Sequence, residues 1–328
     1  MFKIFVPTVF SALVFCCSTP ARAIPCHEAD IRCAHLVQMG QDYPFVKDRP
    51  ASSYLFVSGG VYPFESFNQR LSSATVVVPG EKQAMPVDRL LQLLQEHENA
   101  GKKRTPVIAY GSNPAPWVLI EKFTRSTGSN KEYNGSMVIP VTKATLRNFD
   151  ITWLPYITDD AGLPATLSAS PGTEVEVWLT WLDDDQLALM NTSEFVGQAG
   201  SMYSLNVMPR QQLNTKGYTL QEDPLVYVSC YGSLRAANGD ALAIAQIPAR
   251  NRKLQAMNTI DTMAYAAKRL AFKGTGFELL ADNARNLHKE SIRKQRNTSL
   301  QSRSVPSPTL ALHSPQTACR PDAPMSSP

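Results

Sequence analysis

From Thr173 to Leu182 the chain keeps a period of two, with Val175, Val177, Leu179 and Trp181 on one face. A helix would scatter these four residues around its circumference; an extended strand puts them side by side. The chain must therefore build a sheet with at least one buried face. The turn residues Ser170-Pro171-Gly172 precede this strand, and Asp183-Asp184-Asp185 follow it. Asp at a helix start accepts hydrogen bonds from unpaired N–H groups and suits the positive end of the helix. Three consecutive carboxylates converge poorly on a divalent cation, so the triplet reads as a cap. The helix it opens can bury Leu187, Leu189, Met190 and Phe195.

Other short apolar runs read as strands: Ser53–Ser58, Ala74–Val78, Thr105–Tyr110, Met137–Val141, Phe149–Trp153, Pro164–Ala169, Tyr203–Val207 and Leu225–Cys230. Pro86–Asn99 and Lys253–Leu270 carry helical periodicity, while residues 24–50 read as irregular. The expected class is α+β. The chain has 328 residues, 43% hydrophobic and 18% charged, which excludes global disorder. Beyond the N-terminus no run of 18 apolar residues appears, which excludes a multi-spanning membrane protein. No internal repeat, glycine-rich phosphate loop or dinucleotide fingerprint is present.

The first 23 residues read as a signal peptide: a positive start at Lys3, an apolar run from Ile4 to Cys17, and Ala21-Arg22-Ala23 before an expected cut. An uncleaved anchor helix is the rival reading. Export to the periplasm or the medium would place Cys26, Cys33, Cys230 and Cys319 in an oxidising compartment. Cys26 and Cys33 are spaced for a disulfide; free thiols and a metal site with His27 and His35 are the alternatives. Cys230 reads as a small core residue. Seven basic residues against two acidic ones put the positive charge into residues 285–328. The body before them is net negative, which argues against nucleic-acid binding. Residues 285–328 read as a basic, then Pro/Ser-rich, disordered tail, either simply solvated or in electrostatic contact with an anionic envelope surface.

Three features then stand in order. A buried strand ends in Tyr110-Gly111-Ser112-Asn113, where a glycine lets backbone N–H groups turn outward toward an anion or a polarised carbonyl. The long alternating strand follows. Last comes a short helix with Glu194, then Gly200 and Tyr203 entering a strand. A carboxylate within reach of such a loop suits general-base work. The five histidines lie outside this constellation, which gives a His-based triad no support.

This order resembles the gamma-glutamylcyclotransferase-like superfamily over roughly residues 105–235, continuing less clearly to about 272. The matching text is Val-Ile-Ala-Tyr-Gly-Ser-Asn at 107–113, Pro-Ala-Thr-Leu at 164–167, Ser-Pro-Gly-Thr-Glu-Val-Glu-Val-Trp at 170–178, Leu-Ala-Leu-Met-Asn-Thr-Ser-Glu-Phe-Val at 187–196, and Met202-Tyr203. Departures are Pro114 after the loop and Asn191 where relatives often carry Asp. The resemblance implies a mixed β-barrel with flanking helices over 105–284; residues 24–104 lie outside it and read as an extension that packs on the barrel or covers its mouth. It implies internal aminolysis of a gamma-glutamyl amine or peptide, releasing 5-oxoproline, with no metal and no organic cofactor. Glu194 would be the general base. Tyr110, Gly111, Ser112, Asn113 and Tyr203 would bind the substrate. The rival readings are a non-catalytic envelope protein that binds a small ligand or protein partner through the same fold, and an amide-forming or amide-breaking enzyme with another acyl substrate.

Overall fold

A computed structural model describes residues 31–57, 59–99, 101–124 and 137–320. The expected signal peptide, Cys26 and His27 lie outside these residues. Helix α1 (Ile31–Asp42) comes first, in a stretch expected to be irregular; Cys33, Val37 and Gly40 form its buried stripe. Gly40 sits there because a Cβ would lie 2.5 Å from Leu280 Cδ1, so the helices touch nearly backbone to side chain. Strands β1 (Tyr54–Val57), β2 (Gly60–Ser66), β3 (Thr75–Val76) and β4 (Met85–Pro86) follow, then α2 (Val87–Leu93), shorter than expected.

Next come β5 (Thr105–Ala109), α3 (Pro116–Thr124), β6 (Ile139–Trp153), β7 (Ala165–Leu182) and α4 (Asp184–Ser193). As expected, Asp183 caps α4, accepting from the Gln186 N–H in a capping box. Short strands β8 (Tyr203–Val207), β9 (Leu213–Thr215), β10 (Leu225–Ser229), β11 (Ala243–Ile244), β12 (Ala249–Arg250) and β13 (Ala256–Met257) lead to α5 (Thr259–Arg269). That helix starts six residues later than the periodicity suggests, because Asn258 caps it by accepting from Asp261 N–H. Helices α6 (Gly276–Arg285) and α7 (Glu290–Gln301) and strand β14 (Ala311–Leu312) follow.

The main sheet runs β14-β8-β10-β5-β7-β6-β1-β2-β3-β4. This is an open mixed sheet with two ends rather than a closed barrel, flanked by helices as the expected α+β class requires. Its backbone is the β6–β7 hairpin, which pairs from Val141↔Thr180 to Trp153↔Ala165. Two expected strands merge into β6, and two more into β7. Ser170-Pro171-Gly172 does not reverse the chain. It forms a bulge opposite Asn148, whose φ is 64°, and Asn148 Oδ1 accepts the Gly172 N–H at 3.0 Å. A bulge tolerates the missing proline N–H and the positive φ of Gly172.

The period-two pattern sorts side chains onto two faces. Val175, Val177, Leu179 and Trp181 of β7 pack with Ile108, Val226 and Val228 against α1, α5 and α6. Trp178 and Leu182 pack with Val107, Ala109, Leu225 and Tyr227 against α3 and α4. Strand β1 pairs antiparallel with β6, so residues before 105 extend the same sheet. Asp150, fully buried beside the bulge, is held by Arg252 through Nε (2.8 Å) and Nη2 (3.1 Å).

Residues 285–320 are not the disordered tail that their composition suggests. Beyond α7, the chain is fixed by backbone: Val305 and Ser233 exchange hydrogen bonds at 2.8 Å, and β14 pairs with β8. Cys230, expected as a small core residue, is disulfide-bonded to Cys319 across 89 residues. Cys33 is also disulfide-bonded, which removes it as a metal ligand; Cys26, its expected partner, lies outside the described residues. No helix among the described residues is long and apolar enough to cross a membrane.

Cys230→Ser or Cys319→Ser is expected to cost about 2–4 kcal/mol in denaturant unfolding, because a long loop regains its freedom in the unfolded chain. Unaltered stability would mean that hydrogen bonds alone hold the C-terminal strap. Burial raises the Asp150 pKa, and Arg252 only partly offsets this. A carboxyl raised in the folded state favours folding most at low pH, and that contribution is lost as pH rises through its folded value. Arg252→Met strands the carboxylate and is expected to cost about 3 kcal/mol at neutral pH. The deficit should shrink as the pH falls and Asp150 takes a proton. A deficit that grew in acid would contradict this account.

Candidate active site

The end of β5 is the place to start. Peptide planarity sends the C=O of one residue and the N–H of the next in opposite directions. Buried Arg49 donates through Nη2 to the carbonyls of Gly111 (2.7 Å), Pro44 (3.0 Å) and Tyr110 (3.3 Å). The Ser112 carbonyl accepts from Ala115 N–H at 2.9 Å. Three successive carbonyls of the loop are thereby turned inward to protein donors. The N–H groups of Gly111, Ser112 and Asn113 face away from them, and none donates to a described residue. Tyr54 Oη adds a further brace, donating to Pro114 C=O at 2.7 Å. Burial lowers the Arg49 pKa to about 10, which leaves the guanidinium charged at neutral pH.

The loop forms one wall of a cavity of ≈ 410 Å³. All six sequence-predicted site residues line it: Tyr110, Gly111, Ser112, Asn113, Glu194 and Tyr203. Glu194 is the C-cap of α4, with its side chain 14% exposed. Its Oε1 accepts from Asn113 Nδ2 at 3.1 Å and from Lys122 Nζ at 2.5 Å. Oε2 accepts from no described residue. Asn113 Oδ1 is buried with no hydrogen-bond partner. An unsatisfied buried acceptor costs about 1–3 kcal/mol, which a ligand N–H would relieve.

The floor is phenolic. Tyr110 Oη donates to Tyr227 C=O (2.6 Å), Tyr203 Oη to Ala165 C=O (2.7 Å), and Tyr227 Oη to Asn191 Oδ1 (2.9 Å). Asn191 thus holds the Tyr227 hydroxyl. Burial, reinforced by the Glu194 charge, pushes the pKa of all three phenols well up. They are neutral and already engaged, so Tyr110 and Tyr203 offer ring surface to a ligand rather than a proton.

The opposite wall comes from parts of the chain that the sequence reading left unassigned. Tyr43 and Phe45, just after α1, and Trp117 on α3 supply aromatic surface, with Phe45 and Trp117 edge to face at 4.8 Å. The rim loop 158–165 is braced by the C-terminal helices. Asn297 Oδ1 accepts from Ile157 N–H (2.7 Å), Asn283 Nδ2 donates to Ala161 C=O (2.9 Å), and Arg293 pairs with Asp159. Three arginines of the basic segment are therefore paired with carboxylates: Arg293 here, and Arg296 (2.6 Å) and Arg285 (3.7 Å) on Asp282.

The sequence reading missed Arg49, Tyr43 and Lys122. Each lies outside the three ordered features and left no local signal. No group of His, Cys, Asp and Glu suited to a metal ion occurs among the described residues. No family model, curated protein or solved structure matches the chain.

Gly111 is required by close approach, since a Cβ there would lie 2.9 Å from Tyr43 Oη. That hydroxyl also accepts the Ala165 N–H at 2.6 Å, so it cannot retreat freely. Gly111→Ala is expected to cost about 1–3 kcal/mol. In a Tyr43→Phe background the clash is gone, and adding Gly111→Ala should cost much less. A double-mutant cycle by urea unfolding reads the coupling; strict additivity would count against the contact.

Proposed function

We propose that this chain is an exported gamma-glutamylcyclotransferase-like enzyme. It releases 5-oxoproline from a gamma-glutamyl amine or peptide by internal aminolysis. The observation that carries this reading is the joint placement around one cavity of Glu194 and the N–H groups of Gly111, Ser112 and Asn113, none of which donates to a described residue. That pairing of a base with oxyanion donors is what an acyl transfer without a covalent enzyme intermediate requires.

The substrate's α-amine reacts in its neutral form, oriented by Glu194 and by the orphaned Asn113 Oδ1. As its lone pair attacks the γ-carbonyl carbon, Glu194 takes one proton from that nitrogen. The carbonyl oxygen becomes an oxyanion, held by the loop N–H groups, which also serve the α-carboxylate. Collapse breaks the bond to the leaving nitrogen and closes the five-membered ring. Tyr110, Tyr203 and Tyr227 form an apolar floor that excludes water from the acyl centre. Residues 1–23 and the Cys230–Cys319 disulfide support a periplasmic or secreted setting.

The test is 5-oxoproline release by the purified mature protein from a panel of gamma-glutamyl amines, with Glu194→Gln beside it. Wild-type release that falls by about 10²-fold or more in the variant is expected. Equal release by both would remove Glu194 from the mechanism. Folded protein that is stabilised by gamma-glutamyl compounds but releases nothing would instead be a binding protein.

A further inference from the structure

Internal aminolysis moves protons at two different nitrogens. The attacking amine loses one, and the leaving nitrogen must gain one, because an alkylamide anion is too basic to depart. The reading above gives the first transfer to Glu194 and leaves the second without a donor. A second ionisable group stands at the same carboxylate. Lys122, on α3, lines the cavity and is 18% exposed. Its Nζ lies 2.5 Å from Glu194 Oε1, 3.1 Å from Ser193 Oγ and 3.7 Å from Met190 Sδ.

Those three contacts are unequal. The carboxylate and the hydroxyl are good acceptors, whereas a thioether sulfur is a weak one. One ammonium N–H is therefore only loosely held, on a group that borders the cavity. The Ser193 hydroxyl in turn donates to the Met190 carbonyl at 2.8 Å, which leaves its lone pairs for the lysine and fixes the ammonium in place.

We infer that Lys122 is the general acid that protonates the leaving amine, in the reaction proposed for this site and resting on that reading. As the tetrahedral intermediate collapses, the C–N bond breaks and its electron pair stays on the leaving nitrogen. Lys122 gives that nitrogen one proton and becomes a neutral amine. Glu194, carrying the proton taken from the α-amine, passes it to Lys122 across their direct hydrogen bond. Both side chains return to their starting charge, and the products are 5-oxoproline and a neutral amine. The ion pair is the return path of the proton cycle. It also explains why a base needs a cation in contact with it: the two groups divide acid and base duties between two nitrogens of one substrate.

The leaving group provides the test. Lys122→Gln and Lys122→Arg are compared with wild type on a gamma-glutamyl alkylamide and on gamma-glutamyl p-nitroanilide, whose electron-poor amine departs with far less help from a proton. Both variants are expected to lose about 100-fold in kcat on the alkylamide. The loss on the p-nitroanilide should be at least about tenfold smaller. Arginine keeps the charge and the pairing with Glu194 but does not release a proton, so it separates proton transfer from positioning and guards against a folding defect. Equal losses on the two substrates, or recovery of alkylamide turnover by Lys122→Arg, would overturn the inference while leaving the cyclotransferase reading intact. Wild-type protein that releases 5-oxoproline from neither substrate would overturn both.

Discussion

The β6–β7 hairpin is the constraint on which the rest of the molecule hangs. Strand β7 has β6 on one side and β5 on the other, and its side chains feed the cores on both faces of the sheet. Because the side-chain period is two, a one-residue slip would exchange Val175, Val177, Leu179 and Trp181 with Glu174, Glu176, Trp178 and Thr180. Charged residues would then enter the core against α5 and α6. The bulge at Asn148 accommodates the extra residues of Ser170–Thr173 without moving either half of the ladder, and the Asp150–Arg252 pair stands next to it. Burial opposes the Asp150 charge, so the pair adds less to net stability than its breaking would cost.

A fixed register determines where β5 ends, and the end of β5 determines the site. Ala109 is the last residue paired to β7, opposite Trp178. Immediately beyond it, Arg49 draws the Tyr110 and Gly111 carbonyls to one side, and planarity leaves the amide hydrogens on the other. The outward direction of these amide hydrogens thus results from where a buried guanidinium sits, with no side chain of the loop involved. Arg49 itself is left with Nε and Nη1 unpaired. That is a real cost in a buried group, and it is the kind of local conflict that accompanies functional geometry.

The strands and the capped start of α4 were legible in the sequence because each rests on local physics, period two and an Asp cap; the glycine after a buried strand marked the loop, whereas Glu194 and Tyr203 were singled out by resemblance and not by a local rule. What was not legible depends on distant partners. Helix α1 has a weak apolar stripe and exists because Gly40 lets it nest on Leu280. The Ser170-Pro171-Gly172 turn became a bulge because its partner strand continued past it, which no window of sequence reveals. Arg49 and Lys122 look like ordinary surface cations until the fold places one behind the loop and the other against Glu194. The barrel-like curl was expected from the resemblance alone, and the strand order describes an open mixed sheet.

The C-terminal segment shows the same lesson at larger scale. Its Pro/Ser-rich composition cannot build a core, yet order does not require a core of its own. Val305 and Ser233, β14 and β8, and Cys319 and Cys230 supply backbone and covalent attachments that composition does not register. Gly200 and Ser201, just beyond the Glu194 turn, donate to the Arg320 carbonyl at 2.9 and 3.3 Å. On the other side of the cavity, α6 and α7 satisfy the backbone of the rim through Asn283 and Asn297. A loop that lines a cavity exposes polar backbone that must be paired or solvated. Here much of that pairing comes from residues after 280. The turn that carries the candidate base and the rim opposite it are both held from the C-terminal end, so the site and the segment form one structural unit.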